Sequence, residues 1–260
     1  MTFLARRERF GRVGSTNDVV RSWLADGTPE VCLAVAGEQT AGRGREGRRW
    51  VAPPGAALLL SVGFRPTWLT PDSVWRLAAI VSLAMADAAE AVAGLPDGTV
   101  RLKWPNDLVL DGPDGVRKLA GVLGETDGLG TADPCAVVGL GINTGWTADA
   151  FPPELAASMT SLREATDGRA IDDEAVQDDF VERLEGSVDD LRAGRFDASA
   201  WAARQVTTGR LVRFERADGA ETVRASGVDP ATGALLIGDR HLFVGEITHV
   251  RLADPVAEVV

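Results

Sequence analysis

Gly37-Glu38-Gln39-Thr40-Ala41-Gly42-Arg43-Gly44-Arg45-Glu46-Gly47-Arg48-Arg49-Trp50 is the stretch from which this chain is best read. Arg43, Arg45, Arg48 and Arg49 stand against one acid, Glu46, in a 260-residue chain whose net charge is -11. Gly42, Gly44 and Gly47 interleave the cations, so the backbone is free to take φ > 0 and to approach a ligand closely. Two readings are open at this point: a site for a small polyanion, or a solvated basic turn. The same residues spell a literal G-x-G-x-x-G from Gly42 to Gly47, which would mean a nicotinamide-binding doubly wound sheet. That fold needs a strand before the glycines, a helix opening on them, and an acid about 20 residues further on. Val31–Ala36 supplies a strand, but Pro53-Pro54-Gly55 forbids the helix and Thr67 stands near the acid's place. The dinucleotide reading therefore fails.

Upstream of the loop, Ser15-Thr16-Asn17-Asp18 precedes a short helical pattern ending at Gly27. Ser15 fits an N-cap with Asp18 three residues later, a capping-box variant. A helix start also presents free N–H groups and hydroxyls to a polar ligand. The N-terminal residues lack the apolar run of a signal peptide. The short lead before Ser15 leaves no room for a winged helix-turn-helix, and the acidic balance argues against a general nucleic-acid surface. Cys32 and Cys135 sit in separate apolar runs without Cys-x-x-Cys spacing and read as buried free thiols of a reducing cytoplasm. Apolar residues make up 45% and charged residues 25%, enough apolar chain for a sizeable core.

Downstream, Ala56–Phe64 reads as a strand, and Thr70-Pro71 opens a helix. Its expected buried stripe is Leu77, Val81, Ala84, Ala88 and Ala91, and Gly94 stops it. The interruptions at Ser82, Asp87 and Glu90 keep this helix from spanning a membrane. Thr99–Trp104 reads as a strand ended by Pro105, which places Asn106 and Asp107 at a strand end. Leu108–Leu110 and Arg117–Leu123 are strands joined by a turn at Asp111–Gly115, and Ala136–Ile142 is another. Helical patterns cover roughly Pro153–Leu162, Asp173–Arg192 and Asp197–Arg204, and the charge-rich residues 163–197 read as a solvated face. From about Val206 the pattern changes to short strands at Leu211–Phe214, Thr222–Ser226, Ala234–Ile237 and Ile247–Leu252, with turns at Asp218-Gly219, Asp229-Pro230 and Thr232-Gly233. The expected organisation is a mixed α/β unit over residues 1–205 and a small β barrel over residues 206–260.

Taken together, Ser15-Thr16-Asn17, Gln39–Arg45, Lys103-Trp104-Pro105-Asn106-Asp107, Arg117–Gly121 and Gly139-Leu140-Gly141-Ile142-Asn143 resemble the motifs of the biotin–protein ligases in identity, order and spacing. The resemblance is dense over about residues 12–145. It implies an α+β catalytic domain related to class II aminoacyl-tRNA synthetases, with helices packed on a mixed sheet, followed by an SH3-like barrel. It also implies a two-step reaction using ATP and Mg²⁺: biotin becomes biotinyl-5′-AMP with loss of pyrophosphate, and a carrier-domain lysine then displaces AMP.

Under that resemblance the neutral ureido head of biotin takes hydroxyl and amide partners from Ser15, Thr16, Asn17 and Gln39. Gly42, Arg43, Gly44 and Arg45 complete the biotin side, and Leu58–Val62 with Val122 and Leu123 line a slot for the valeryl chain. Lys118 is expected to bridge carboxylate and α-phosphate, with Arg45 beside it. Asp107 is the expected carboxylate near Mg²⁺. Arg48, Trp50, Lys103, Asn106 and Asn143 are assigned to the adenylate. Blander readings stand beside these: Lys103 and Trp104 as a salt-bridged strand and a core packer, Gly139 and Gly141 as places where strands approach. The expected partner is a biotin carboxyl carrier domain, with no nucleic acid or membrane, in a monomer or weak homodimer. A lipoate or octanoyl ligase, and a non-catalytic biotin-binding regulator, are the alternatives.

Overall fold

A computed structural model of the chain describes residues 2–113, 115–216, 219–244 and 249–252. Its frame is a seven-stranded sheet of β1 (Arg6–Phe10), β2 (Cys32–Ala36), β3 (Ala57–Phe64), β4 (Val100–Lys103), β5 (Asp107–Gly112), β6 (Gly115–Asp127) and β7 (Cys135–Asn143). The spatial order is β1-β2-β3-β7-β6-β5-β4. β1 and β2 pair in parallel, whereas the other neighbours are antiparallel; β4 to β7 follow one another through short turns, as antiparallel pairs allow. The crossover between β1 and β2 carries α1 (Thr16–Ala25), which packs on β2, β3 and β7. α2 (Trp75–Ala93) packs on β4, β6 and β7 and on α5 (Asp173–Arg192). β2 and β3 are covered on both faces, and every residue of each is buried. That is why both read as unbroken apolar runs.

Several local expectations change. β1 was not anticipated, because four of its five residues are charged; Arg7 and Arg9 turn to Asp178 and Gln177 on α5. Ser15 holds the N-cap position of α1 but makes no side-chain capping bond, so the capping-box reading is corrected. α2 is preceded by a 3₁₀ turn at Pro71–Ser73 and is buried well beyond a single stripe, since sheet and α5 clasp it from two sides. Leu77, Val81, Ala84 and Ala88 are buried as expected, but Ala91 is exposed. Gly94 ends the helix at φ 61. The helix read over Pro153–Leu162 is replaced by two single turns, α3 (Pro153–Ala156) and α4 (Leu162–Ala165). Between them the backbone is extended: the Lys118 N–H donates to the Ser158 carbonyl at 2.7 Å and the Thr160 N–H to the Lys118 carbonyl at 2.9 Å. Cys32 is buried, which pushes its thiol up to about 11, whereas Cys135 is only partly buried.

After α6 (Ala198–Ala203), capped by Asp197, residues 204–206 run beside β4. The Leu102 N–H donates to the Arg204 carbonyl and the Val206 N–H to the Leu102 carbonyl, at 2.9 and 2.8 Å. The remaining strands are β8 (Leu211–Arg216), β9 (Gly219–Arg224), β10 (Gly227–Val228), β11 (Leu235–Ile237), β12 (Arg240–Leu242) and β13 (His249–Leu252). They form two antiparallel sheets of three strands, β13-β8-β9 and β10-β11-β12, with no pairing between the two among the described residues. Ser226, expected in a strand, falls just outside β9; Asp114, Asp218 and Ile247, each placed in a turn or strand from the sequence, lie outside the described residues. One apolar cluster joins the two parts of the chain: Val212, Phe214, Leu235 and Ile237 belong with Leu102 and Trp104. Trp104 is the joint, donating its indole N–H to the Gly233 carbonyl at 2.9 Å and its backbone N–H to Thr207 Oγ1 at 3.0 Å.

Candidate active site

The sheet carries an open cleft of about 690 Å³ between the N-terminus of α1, the arginine loop, β4–β7 and the α3 segment. Its floor exists because three strand positions carry no side chain. A Cβ on Gly139 would lie 2.1 Å from Asn17 Oδ1, and one on Gly141 would lie 2.6 Å from the Trp50 ring. Gly121 faces the same ring. These glycines serve side chains laid over the sheet, not strand-to-strand approach.

At one end hydroxyls and amides bond one another and close on a single carboxylate, Glu125. The Thr16 backbone N–H donates to Gln39 Oε1 at 2.7 Å, and the Thr16 hydroxyl lies 3.1 Å from the same oxygen. Ser61 Oγ is 2.7 Å from Thr16 Oγ1 and donates to Asn17 Oδ1 at 2.6 Å. Asn17 Nδ2 donates to Glu125 Oε2 at 2.6 Å. Ser61 and Glu125 were not picked out from the sequence, yet both left a signal. Ser61 is a lone hydroxyl inside the apolar run of β3, and a hydroxyl buried there needs a partner. Glu125 alternates with Gly121 and Leu123 on β6 and so faces the same side.

At the other end the groups are charged. Asp107 Oδ1 is 2.6 Å from Lys118 Nζ, and Oδ2 is 3.3 Å from Lys103 Nζ. Burial pushes the Asp107 carboxyl up, but Lys118 and Lys103 outweigh it and hold the group below its ordinary value. Lys118 Nζ also stands 5.5 Å from the Trp50 ring centre. Its aim depends on one irregularity in the ladder. Leu108 pairs with Ala120 but Val109 pairs with Lys118, so Leu119 has no partner on β5. That bulge switches the face of the strand. Val116 and Lys118 line the cleft on one side of it, Gly121 and Leu123 on the other, and Leu119 enters the core. The backbone of Lys118 is then held by residues 158–160.

The arginine loop is tied across its neck. Trp50 N–H donates to the Gly42 carbonyl at 3.0 Å and Gly44 N–H to the Arg48 carbonyl at 2.7 Å. A Cβ on Gly42 would meet the Trp50 carbonyl at 2.5 Å, so Gly42 is needed for close approach. Of the three glycines only Gly47 has positive φ, at 69°; Gly44 is extended and Glu46 takes the left-handed turn instead, with φ 56. The four arginines divide. Arg43 makes a bidentate pair with Asp18 at 2.8 and 2.7 Å and approaches Glu125 at 3.3 Å. Arg49 donates to the Thr40 carbonyl at 3.3 Å. Arg45 donates to the Val244 carbonyl at 3.0 Å, Arg48 to the Arg45 carbonyl at 3.2 Å, and both line the cleft. Burial pulls the Arg45 guanidinium below its ordinary value.

The residues singled out from the sequence thus gather, with two exceptions. Ser15, Thr16, Asn17, Gln39, Arg43, Gly44, Arg45, Arg48, Trp50, Lys103, Asn106, Asp107 and Lys118 all line the cleft. Gly42 acts at the neck of the loop, and Asn143 is directed elsewhere, donating from Nδ2 to the Thr160 carbonyl at 2.9 Å. Asn106 spends its amide on the Val122 carbonyl at 2.8 Å, pinning the β4–β5 turn to β6. The expected apolar slot is furnished by Leu60, Val122, Leu123 and Leu140; Leu58 and Val62 lie in the core. Asp107 has an ammonium on each oxygen, and no three His, Cys, Asp or Glu side chains converge as a metal cage among the described residues.

Comparison with known proteins places this cleft in context. Residues 10–143 match the Biotin/lipoate A/B protein ligase family. Biotin--[acetyl-CoA-carboxylase] ligase of Mycobacterium tuberculosis is 31% identical over 246 residues, covering 92% of this chain and 87% of that protein. The bifunctional ligase/repressor BirA of Bacillus subtilis is 28% identical over 227 residues, 86% of this chain and 67% of that protein. Among solved structures, biotin protein ligase from Aquifex aeolicus in complex with biotin and ATP superposes with a TM-score of 0.77 at 24% identity, over 95% of this chain and 99% of that one. Biotin protein ligase from Leishmania major in complex with biotinyl-5-AMP superposes with a TM-score of 0.59 at 22% identity, over 85% and 99% of the two chains. At these identities the structural likeness speaks for the fold.

Proposed function

We infer the activity from one premise: the chain belongs to the Biotin/lipoate A/B protein ligase family. Within it, the chain is a biotin–protein ligase, which activates biotin with ATP to biotinyl-5′-AMP and passes biotin to a lysine of a biotin carboxyl carrier domain. The observation that carries the reading is the polarity of the cleft. Neutral hydroxyls and amides stand at one end, and Lys118, Lys103, Arg45 and Arg48 at the other, with Leu60, Val122 and Leu123 among the lining residues. A ureido ring, an aliphatic chain and a carboxylate meeting a triphosphate ask for those environments. A lipoyl or octanoyl substrate has no ureido ring to engage the neutral end, which favours biotin.

The roles of individual residues follow from the geometry as proposals. Thr16, Asn17, Gln39 and Ser15 orient the ureido head. Lys118 gathers the biotin carboxylate and the α-phosphate, so that the carboxylate oxygen attacks phosphorus and pyrophosphate leaves. Arg45 and Arg48 spread the charge that builds on the phosphates, and Trp50, whose ring lies on Gly121 and Gly141, supports the adenylate from the sheet side. Asp107 holds Lys118 and Lys103 in place, since both its oxygens are taken by them. Mg²⁺ would arrive with ATP and neutralise charge on its phosphates. The ε-amine of the carrier lysine then attacks the acyl carbon and AMP departs. We also keep the division at 205/206, with residues 1–205 catalytic and 206–260 a small β unit whose Val244 carbonyl and Arg251 reach the cleft.

The experiment is pyrophosphate release from ATP with biotin, with lipoate, or with neither, followed by addition of a carrier domain. Release that depends on biotin, with a biotinylated carrier as product, is expected. Release with lipoate alone would move the chain to the alternative ligase, and biotin binding without release would make it a regulator.

A further inference from the structure

Asn17 sits at the innermost point of the neutral end, 4% exposed and pressed over Gly139. An amide side chain offers two donors at one end and an acceptor at the other, and which end faces a ligand decides what the ligand must be. The neighbours of Asn17 leave no choice. A carboxylate accepts and cannot donate, so the atom 2.6 Å from Glu125 Oε2 is the amide nitrogen. The oxygen then faces Ser61, whose hydroxyl donates to it at 2.6 Å. One amide hydrogen is left for the cleft, and it matches the ureido carbonyl oxygen of biotin.

We propose that Glu125 is the specificity-determining positioning residue of this site: its carboxylate fixes the Asn17 amide as a donor. The proposal rests on the reading that the ureido head lies against Asn17. Glu125 also receives Arg21 at 2.9 Å and Arg43 at 3.3 Å, and Arg43 is in turn paired with Asp18. Asp18 is the nearer anchor of Arg43, so the start of the loop stays held when Glu125 is changed. Burial alone would raise the Glu125 carboxyl, but the Asn17 hydrogen bond and the two arginines hold it below its ordinary value, so it remains an acceptor only.

Replacing the carboxylate with an amide removes the compulsion. In Glu125→Gln the side chain can present NH₂ as well as oxygen to Asn17, so the Asn17 amide is no longer held one way round. Calorimetry compares wild type, Glu125→Gln and Glu125→Asp with biotin, with 2-thiobiotin (a neutral analogue whose ureido oxygen is replaced by the weaker acceptor sulfur), and with ATP. Melting curves establish that each variant is folded. For Glu125→Gln the dissociation constant for biotin rises about tenfold or more, the preference for biotin over 2-thiobiotin shrinks by a similar factor, and ATP affinity stays within about twofold. In turnover the loss appears in KM for biotin while kcat at saturating biotin is kept. Glu125→Asp, still an acceptor only, binds more weakly but keeps the preference, and it decides the matter if the Gln variant fails to fold. An unchanged preference in Glu125→Gln, equal losses for biotin and ATP, or an Asp variant with a collapsed preference overturns the proposal. If wild type releases pyrophosphate with lipoate and ignores biotin, the functional reading fails first and takes this proposal with it.

Discussion

The two ends of the cleft are built on opposite principles. At the neutral end, Thr16, Asn17, Gln39, Ser61 and Glu125 already bond one another before any ligand arrives. At the charged end, Lys103 and Lys118 share the single carboxylate of Asp107, and Arg45 and Arg48 join them on the lining. A network of hydroxyls and amides anchored on one carboxylate holds its shape and selects by fit. Gathered cations repel one another, and an arriving polyanion relieves that repulsion. Recognition is thus prepared in advance, whereas the chemistry is completed by the substrate.

The sharpest way to break this contrast is Lys118→Ala. The variant is expected to bind biotin nearly as wild type while adenylate formation falls by about 10²-fold, the usual cost of a charged donor used at the transition state. Pyrophosphate release and biotin calorimetry read the two quantities separately. Parallel losses in both would mean the ends are not independent. Gly139→Ala and Gly141→Ala test the same division with one added methyl each. The first drives a Cβ into Asn17 and the second into Trp50. Overpacking of this kind costs about 1–3 kcal/mol, so Gly139→Ala should weaken biotin by roughly tenfold and spare ATP. Gly141→Ala should raise KM for ATP instead. Thr16→Val has a milder consequence, removing one hydroxyl from the neutral network at about 1–3 kcal/mol. Biotin affinity falls and ATP affinity does not; equal weakening of both ligands would return Thr16 to helix geometry.

The sequence revealed these ends unequally. Strands β2, β3 and β7 were readable because burial on both faces leaves an unbroken apolar run, and Gly94 and Asp197 mark helix ends by their own chemistry. β1 was hidden, since an edge strand whose arginines pair with α5 looks like solvated charge. The bulge at Leu119 was hidden too. Arg117-Lys118-Leu119-Ala120-Gly121 reads as plain strand, and only the pairing of Val109 with Lys118 shows that the face has switched. The arginines were visible as one cluster, but their division was not. Arg43 leaves for Asp18 and Glu125, and Glu125 lies on a strand far along the chain. Asn143 shows the converse: its motif fits the family, but its amide is spent on Thr160.

The smallest expected effect concerns acid, and it joins the two ends. Each end has a carboxylate at its centre, Asp107 among lysines and Glu125 among Asn17 and arginines. Burial pushes both carboxyls up; Lys118 and Lys103 outweigh it at Asp107, and the Asn17 hydrogen bond with Arg21 and Arg43 outweighs it at Glu125, so each lies below its ordinary value. A depressed folded value means a stabilisation that is fully present above the unfolded value, about 4 for such groups, and lost only as pH falls through the folded one. Neither carboxyl should therefore titrate between pH 8 and 5, and the melting temperature of the ligand-free protein should not step there on account of either group. Below pH 4 both contributions fade together. Glu125→Gln removes one of them: its melting temperature should sit below wild type at pH 7 and converge on it in acid, where wild-type Glu125 is protonated as well. A gap between the two proteins that stays constant from pH 7 down to the acid limit would show that the Glu125 charge is not what holds the neutral end.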